Sequence, residues 1–323
     1  MRRRGRRIDG WVVLDKPTGM TSTRAVSEVR RLFNAQKAGH AGTLDPLASG
    51  LLPIALGEAT KTVSFVMGGR KTYRFTIRWG AETSTDDGEG EVVETSKARP
   101  TPDEITTALG DFTGTIDQVP PAFSAIKVDG ERAYDLARDG EAVALAPRPV
   151  TIHRLSLVGA PDADTATLEA ECGKGTYIRA LARDLGRQLA CLGHVESLRR
   201  TAVGPFGEGD MIPLEMLKTF SHSARRRGEL IAALRPVETA LDDIPALAVD
   251  RSDAARLRKG QAIFVRGRDA IPSQGTVFVR SRGELVALAE IERGEVHPKR
   301  IFNLAAPDTG PAPSARTTDV DHT

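Results

Sequence analysis

Cysteine is scarce in this chain of 323 residues, which contains only Cys172 and Cys191. No Cys-x-x-Cys pair and no combined Cys/His spacing is present, so the sequence predicts neither a zinc site nor a disulfide framework. The six histidines are scattered and include no His-Glu-x-x-His pair, the zinc-binding pattern of metalloproteases. We therefore expect a reduced protein whose chemistry does not depend on a bound metal.

Long apolar runs are missing as well. The arginine-rich N-terminus is followed by an apolar run at residues 11–14 only, whereas the core of a signal peptide has about 7–15 residues. No run approaches the roughly 20 apolar residues of a membrane-spanning helix. We predict a cytoplasmic protein that does not associate with a membrane.

Charge of one sign is not in excess, since the formal net charge is only +2. The sequence has no overall signature of polyanion binding, but arginines cluster at residues 2–7, 199–200 and 225–227. Such patches can hold phosphates even in a nearly neutral protein, although each can also be a solvated face. The length predicts about two domains, and 40% hydrophobic residues suffice for a large core.

A glycine-rich stretch at residues 39–57 reads GHAGTLDPLASGLLPIALG. Asp45 precedes a proline, which disfavours helix and predicts that its carboxylate is presented from a loop. Apolar neighbours on both sides would leave this carboxylate partly desolvated, as a nucleophile or general base requires. The alternative is a structural aspartate, because Asp-Pro commonly starts a turn.

The clearest predicted strand spans residues 71–80. Tyr73 and the apolar residues at 75, 77 and 79 alternate with threonines and arginines, which is the period of a half-buried strand. Its basic and aromatic faces suit the wall of a nucleic-acid site, but a core stripe with a solvated back explains the pattern equally well. Further on, GKGT at residues 173–176 precedes a predicted helix whose free amides can bind phosphate. Its spacing is not that of a Walker loop.

Hydrophobic periodicity predicts alternating strands and helices before residue 244 and short strands after it. Pro53 suggests that its strand lies at a sheet edge or a bulge. Residues 305–323 are rich in Pro, Thr, Ser and Asp and are expected to be disordered. The predicted strands are 10–16, 51–56, 71–80, 122–128, 150–157, 165–172, 194–203, 264–266, 275–280 and 284–290. The predicted helices are 22–33, 58–67, 101–109, 132–138 and 177–190.

Six motifs, listed below in chain order, resemble those of the TruB family of RNA pseudouridine synthases, and the resemblance spans about residues 10–304. A chance match of six motifs in register is improbable, which favours the functional interpretation of Asp45 over the turn. The motifs are the glycine-rich stretch continued to Lys61, KTYR at 71–74, TSTDDG at 83–88, VPP with FSAIK at 119–127, GKGTYIR at 173–179, and HV with LRRT at 194–201.

The resemblance implies an α+β fold. A pseudouridine synthase catalytic domain built on a mixed or antiparallel sheet would be followed by a small PUA-like RNA-binding β-barrel. We place the catalytic domain at residues 8–244, the barrel at 245–305 and a disordered tail at 306–323.

The resemblance also implies three catalytic residues. Asp45 matches the nucleophile of the family, and Tyr73 matches the tyrosine that stacks on the target base. Arg179 matches the arginine that pairs with the catalytic carboxylate and would keep it ionised in an apolar pocket.

Four further positions match residues that bind the substrate or support the site. His40 corresponds to a histidine that meets the RNA near the flipped base, and Leu198 to an apolar residue of the uracil pocket. Tyr177 accompanies Arg179, and Lys16 belongs to a Lys-Pro motif that supports the site. The sequence thus predicts His40, Tyr177, Leu198 and Lys16 as substrate-binding residues.

The implied reaction isomerises uridine 55 in the T-arm of tRNA to pseudouridine. The N-glycosidic bond breaks, the base rotates and a C–C bond forms, after the base has left its stack at a cost of a few kcal/mol. No redox or group transfer occurs, so no cofactor is required. Whether Asp45 attacks C1′ of the sugar, attacks C6 of the uracil or assists a glycal route stays open.

The implied partner is tRNA, with no obligate protein partner, and the predicted enzyme is a monomer. Two alternatives remain. One is a related synthase that acts on ribosomal or guide-directed RNA. The other is a non-catalytic RNA-binding or RNA-folding protein that has kept the fold.

Overall fold

The computed structural model describes residues 5–124, 126–128, 131–132, 145–264 and 274–304. The strands are β1 (Gly10–Lys16), β2 (Ala38–His40), β3 (Ser49–Leu56), β4 (Lys71–Trp79), β5 (Ala81–Thr83), β6 (Val92–Thr95), β7 (Gly114–Gln118), β8 (Lys127–Val128), β9 (Glu131–Arg132), β10 (Arg148–Gly159), β11 (Thr165–Cys172), β12 (Gly193–Val203), β13 (Ile212–Pro213), β14 (Ala246–Ala248), β15 (Ile263–Phe264), β16 (Gly275–Ser281), β17 (Glu284–Glu292) and β18 (Glu295–Ile301). The helices are α1 (Ser22–Leu32), α2 (Val63–Gly68), α3 (Pro102–Ala108), α4 (Ile178–Gln188), α5 (Leu214–His222), α6 (Arg227–Ala232) and α7 (Arg251–Arg258).

A mixed sheet of nine strands dominates the described part of the chain, with the order β13-β1-β3-β12-β4-β11-β10-β7 and with β2 paired to β3. The pairs β1–β13 and β3–β12 are parallel, and the other pairs are antiparallel. Strand β4 lies between β12 and β11. Its Phe75 and Ile77 are buried, whereas Arg74 and Arg78 are exposed. The predicted α+β class with a mixed sheet is confirmed, and so is the alternation of β4.

Helices α1 and α4 pack into one apolar core with the sheet, and both begin beside the glycine-rich loop. Thr21 caps α1 by accepting a hydrogen bond from the amide of Arg24, as its position before an amphipathic run predicts. Val29 on α1 and Leu181 on α4 belong to the same buried cluster as residues of β4. The two helix starts therefore bring residues far apart in sequence to the loop that carries Asp45.

Strand β3 is longer than predicted, and the prediction that Pro53 lies at a sheet edge or a bulge is wrong, because its pairing with β1 is regular. It lies inside the sheet, between β1 on one side and β12 and β2 on the other. The carbonyl of Pro53 accepts a hydrogen bond from the amide of Ala41, on the β2 side. In a strand, the N and the C=O of one residue point to the same side, so the nitrogen of Pro53 also faces the β2 side. On this side, the pairing of β3 with β12 ends at Gly50 and the pairing with β2 begins at Ile54. The position of the missing N–H therefore lies in the gap between the two partner strands. An interior proline is tolerated here because no partner strand needs its amide.

The predicted strand at residues 122–128 is wrong over its first half, because 122–124 form a bend and β8 starts only at Lys127. The carbonyl of Phe123 accepts a hydrogen bond from Arg179 instead of entering a ladder. The predicted helix at 132–138 falls, apart from Arg132 in β9, outside the described residues, and so does the predicted disordered tail. Helix α3 starts with the expected cap at Thr101 and proline at its first position.

The C-terminal region forms a separate five-stranded sheet with the order β14-β16-β17-β18-β15, which confirms the predicted β domain. The sequence did not predict β14 and β18. Phe278 and Phe302 of this region share a buried cluster with Trp11 and Phe206 of the larger region. The division near residue 244 stays a prediction. None of the described helices is long and apolar enough to span a membrane.

Candidate active site

A cavity of about 460 Å³ opens where several loops meet the end of the large sheet. It is bounded by residues 42–45 of the glycine-rich loop, by residues 173–179 around the start of α4, and by the bend at 123–124. Strands β4 and β12 supply the rest of the wall. Of the predicted site residues, those that line this cavity are Asp45, Tyr73, Tyr177, Arg179 and Leu198.

Asp45 and Arg179 form the central contact of this cavity. Oδ2 of Asp45 lies 3.1 Å from Nε of Arg179. The arginine side chain is only 6% exposed, whereas the aspartate side chain is 40% exposed. The carboxylate thus has a buried guanidinium on one side and open space on the other, which suits a nucleophile that is held in place and accessible to a substrate.

Arg179 is itself fixed by three other contacts. Nη1 donates a hydrogen bond to the carbonyl of Thr85, and Nη2 donates one to the carbonyl of Phe123, both at 2.8 Å. Nη1 also lies 3.5 Å from Oδ2 of Asp87, whose side chain is buried. The guanidinium fork is rigid and planar, so these contacts fix the position of Nε beside the Asp45 carboxylate.

The loop that carries Asp45 is fastened on both sides of the aspartate. The hydroxyl of Ser22 donates a hydrogen bond to the carbonyl of Leu44 at 2.9 Å and accepts one from the amide of Leu44 at 2.8 Å. On the other side, the carbonyl of Pro46 accepts a hydrogen bond from the amide of Gly19 at 2.7 Å. Because both anchors lie at the start of α1 or just before it, packing of that helix also positions the carboxylate.

Lys16 lies beneath this loop and does not line the cavity. Its Nζ donates hydrogen bonds to the carbonyls of Met20, Pro17 and Pro46 at 2.7, 3.0 and 3.4 Å. Burial lowers the pKa of Lys16 to about 8, although the Asp45 carboxylate opposes this shift. The geometry suits a support for the loop, and the substrate-binding role of Lys16 stays a prediction.

Tyr73 and Tyr177 contribute aromatic surface to the cavity wall. Tyr73 projects from β4, where its strand partners are Ala170 and Arg200. Burial raises the pKa of the Tyr73 hydroxyl, and the Arg200 guanidinium opposes this shift. The hydroxyl is therefore neutral at physiological pH and presents an uncharged ring to the cavity.

The backbone of Tyr177 is held by the buried amide of Gln118. Nε2 of Gln118 donates to the carbonyl of Tyr177 at 3.1 Å, and Oε1 accepts from the amide of Tyr177 at 2.9 Å. Gln118 is only 1% exposed. This pair occupies an amide at the start of α4, so it is not free for the phosphate binding suggested by the GKGT sequence. Burial raises the pKa of Tyr177 as well.

Leu198 and His40 are placed differently with respect to the cavity. Leu198 is buried on β12 and lines it. His40 lies on β2, half-buried, and is not part of the lining. Its Nδ1 is buried and has no hydrogen-bond partner among the residues that the structure describes. Burial, assisted by the charge of Arg200, lowers the pKa of His40, so this imidazole is neutral at pH 7.

Among the lining residues that were not predicted as site residues, two are buried and basic, Arg200 and Lys71. Arg200 is 1% exposed and donates hydrogen bonds to three backbone carbonyls. Lys71 is buried as well and donates to the carbonyls of Met67 and Gly69. Strand periodicity contains a signal for Arg200, because positions 198 and 200 share a face and Arg199 points away from them.

Some arginines of the predicted basic patches and of the basic face of β4 form ion pairs. Arg74 and Arg78 on the outer face of β4 pair with Glu169 and Glu196. Arg199 pairs with Asp15 at 2.9 Å. Of the N-terminal arginines, those at residues 2–4 lie outside the described residues. Among the residues that the structure describes, no group of three or more His, Cys, Asp or Glu side chains is arranged to hold a metal ion.

Two family models match adjacent parts of this chain. The model described as "TruB family pseudouridylate synthase (N terminal domain)" matches residues 30–178. The model described as "tRNA pseudouridylate synthase B C-terminal domain" matches residues 179–242. The two matches meet between Ile178 and Arg179, at the start of α4.

Curated relatives match nearly the whole length. The chain is 64% identical to the tRNA pseudouridine synthase B of Bradyrhizobium diazoefficiens, over 98% of this chain and 92% of that protein. It is 56% identical to the protein of the same name from Caulobacter vibrioides, over 94% of this chain and 99% of that protein.

Solved structures also match nearly the whole chain, at lower sequence identity. A structure described as "Crystal Structure of a Cbf5-Nop10-Gar1 Complex" matches with a TM-score of 0.71 and 27% identity, over 91% of this chain and 85% of that one. A structure described as "Structure of H/ACA RNP bound to a substrate RNA containing 2'-deoxyuridine" matches with a TM-score of 0.71 and 25% identity, over the same shares. With the cavity around Asp45, these likenesses show that the chain belongs to the TruB family of pseudouridine synthases.

Proposed function

We propose that this protein isomerises uridine 55 in the T-arm of tRNA to pseudouridine, with Asp45 as the catalytic carboxylate. The observation that carries the proposal is the pairing of Asp45 with the buried Arg179 at the wall of an open cavity. The relatives that match almost the whole chain are named tRNA pseudouridine synthase B, which supports tRNA as the substrate.

The cavity has the size and lining for a single extruded nucleoside. Its volume of about 460 Å³ falls in the range of small-molecule sites, which are mostly apolar with a few placed polar groups. Tyr73 offers a ring face on which a flipped base can stack, and Leu198 offers apolar contact. The part of Asp45 that is exposed would then face the sugar and base of that nucleotide.

Arg179 prepares the carboxylate for the reaction. The fixed guanidinium holds the Asp45 carboxylate in place and leaves part of it exposed to the cavity. The N-glycosidic bond breaks with its electron pair going to the uracil, and C5 then bonds to C1′. The proton of C5 leaves to solvent, and N1 takes up a proton from solvent, so that the product is an isomer of the substrate. Attack at C1′, attack at C6 and assistance of a glycal route all place the carboxylate beside the base and sugar.

Action on tRNA without a guide is favoured over guide-directed action. The chain is 64% identical to a tRNA pseudouridine synthase B, but only 25–27% identical to chains of the H/ACA-type structures. We propose that the enzyme acts as a monomer on the T-arm and needs no partner protein.

The test is Asp45→Asn assayed on a transcribed tRNA labelled with tritium at C5 of its uridines. We expect no tritium release and no pseudouridine at position 55, while the affinity for tRNA stays within about threefold of the wild type. Asp103→Asn, on the exposed first turn of α3, is the matched control and should retain full activity.

The purified chain alone, with a T-arm RNA and no other macromolecule, should give the same product. Activity of Asp45→Asn comparable to the wild type would exclude Asp45 as the nucleophile. RNA binding by the wild type without any modification would instead favour the non-catalytic RNA-folding alternative.

A further inference from the structure

Arg200 is the most deeply buried arginine at the cavity, and its contacts differ from those of Arg179. Nε donates to the carbonyl of Leu51 at 2.8 Å, Nη1 to that of Thr43 at 3.2 Å and Nη2 to that of Gly42 at 3.0 Å. Where Arg179 faces two carboxylates, these three hydrogen bonds all go to neutral carbonyls. Burial of a cation among neutral acceptors costs free energy, so we expect Arg200 to have a specific role.

Two of these carbonyls lie in the loop just before Asp45, and the third lies in β3. Arg200 itself is in β12, directly opposite Tyr73 of β4 in the strand pairing. Burial raises the pKa of the Tyr73 hydroxyl, and the charge of this guanidinium opposes the rise. The Arg200 side chain therefore holds the loop that carries the nucleophile, while its strand position lies opposite the tyrosine on the cavity wall.

Two glycines, Gly50 and Gly42, lie close to Arg200. A Cβ at Gly50 would lie 2.3 Å from the carbonyl oxygen of Arg200, so glycine permits the close approach of β3 and β12. Gly42 has a φ of +102°, and a Cβ there would lie 3.5 Å from Nη1 of Arg200. The glycines of the loop thus let two carbonyls turn toward the guanidinium.

We propose that Arg200 is a positioning residue for the isomerisation, which fixes loop residues 42–43, and through them Asp45, in register with Tyr73. It acts through the loop and the tyrosine and not by bonding to the reacting atoms. The inference rests on the proposed function, because it assigns a role within that reaction. A displacement of about 1 Å at a reacting group can lower a rate about 100-fold.

The test is Arg200→Lys, with Arg199→Lys as the matched control. Arg199 is the preceding residue of the same strand, but it points away and pairs with Asp15. Lysine keeps the charge of Arg200 and loses the fork that reaches two carbonyls at once. We expect the single-turnover rate of pseudouridine formation to fall at least about 30-fold in Arg200→Lys, with the Kd for tRNA within threefold of the wild type, and to change less than threefold in Arg199→Lys.

A second pair of variants leaves the buried charge in place, in case Arg200→Lys does not fold. Gly42→Ala strains the backbone at a positive φ and displaces its carbonyl from Arg200, whereas Gly39→Ala meets no atom within 4 Å and has an ordinary φ. We expect a rate loss of about tenfold or more in Gly42→Ala alone, again without a change in Kd.

A single-turnover rate within threefold of the wild type in a folded Arg200→Lys, or equal rates in the two glycine variants, overturns the proposal. A loss that appears only in Kd overturns it too, because it would make Arg200 an RNA-binding residue. An inactive wild type would contradict the proposed function itself. Failure of the proposed function can therefore be distinguished from failure of the role assigned to Arg200.

Discussion

Arginine has different roles in two regions of this molecule, beneath the cavity and on the outer face of the large sheet. Beneath the cavity, Arg179 and Arg200 are 5% and 1% exposed and hold backbone carbonyls of loops. On the outer face, the side chains of Arg74 and Arg78 are about half exposed and pair with glutamates on neighbouring strands. Buried guanidinium groups fix loop geometry, whereas exposed ion pairs are screened by water and contribute little.

Among these four arginines, replacement of the buried Arg179 is expected to have the largest effect on activity and stability. Arg179→Gln should lower the rate of pseudouridine formation by about 10²–10³-fold, because Asp45 loses its oriented partner. It should also lower the free energy of unfolding by about 3–5 kcal/mol, since Asp87 is left buried beside a neutral group. Single-turnover tritium release and urea denaturation measure the two effects. An active and fully stable variant would contradict the role of this guanidinium.

The second prediction concerns the pH dependence of the buried pair Asp86–Arg183, whose atoms Oδ2 and Nη1 lie 2.9 Å apart. Burial raises the pKa of Asp86 to about 6, although Arg183 opposes the shift. A carboxyl whose folded pKa lies above its unfolded value stabilises the fold at low pH, and this contribution is lost as the pH rises through 6. Two pKa units correspond to on the order of 3 kcal/mol.

The measurement is urea denaturation of Asp86→Asn and wild type at pH 4, 5, 6 and 7. Because the amide does not titrate, the variant should gain stability relative to the wild type as the pH rises from 4 to 7. If the wild type gains relative to the variant instead, the attraction of Arg183 outweighs the burial of Asp86. In that case Asp86 would be stabilised in its charged form by Arg183, as the glutamates of the exposed ion pairs are by their arginines.

Gln118 tests whether a buried side chain needs a charge, as Arg179 and Arg200 have, to hold the backbone of a loop in place. Its neutral amide makes two hydrogen bonds to the backbone of Tyr177. Gln118→Leu leaves both backbone groups without this partner and should lower the free energy of unfolding by about 1–3 kcal/mol. The activity should fall with it, since Tyr177 and Arg179 are near neighbours at the start of α4. Thermal unfolding and tritium release check this, and an unchanged melting temperature would contradict it.

The smallest effect is expected on the outer face. Arg78→Ala removes an exposed pair with Glu196 and should change the free energy of unfolding by less than about 1 kcal/mol. The rate on tRNA should stay within twofold of the wild type if this face does not contact the substrate. A large loss in tRNA affinity would instead support the nucleic-acid wall suggested by the sequence pattern.

Much of the fold could be predicted because local patterns and tertiary packing agree. The alternation in β4 appears in the structure as the sequence predicts, and the helices predicted at 22–33 and 101–109 begin at Ser22 and Pro102, after the caps Thr21 and Thr101. The prediction for Pro53 failed because a missing amide matters only if a neighbouring strand needs it. The strand predicted at 122–128 failed because Phe123 gives its carbonyl to Arg179, a residue 56 positions away.

By itself, the sequence determined which chemical groups are present and which short segments carry them. Asp45 in a loop, Tyr73 on a strand and Arg179 near a helix start all follow from local residue preferences. Strand periodicity indicates that Arg199 and Arg200 point to opposite faces, but the tertiary structure alone decided their partners, which are carbonyls of the Asp45 loop for Arg200 and Asp15 for Arg199. The reason is physical: hydrogen bonds from a buried side chain depend on which distant backbone groups lack partners, and no local pattern of residues specifies that.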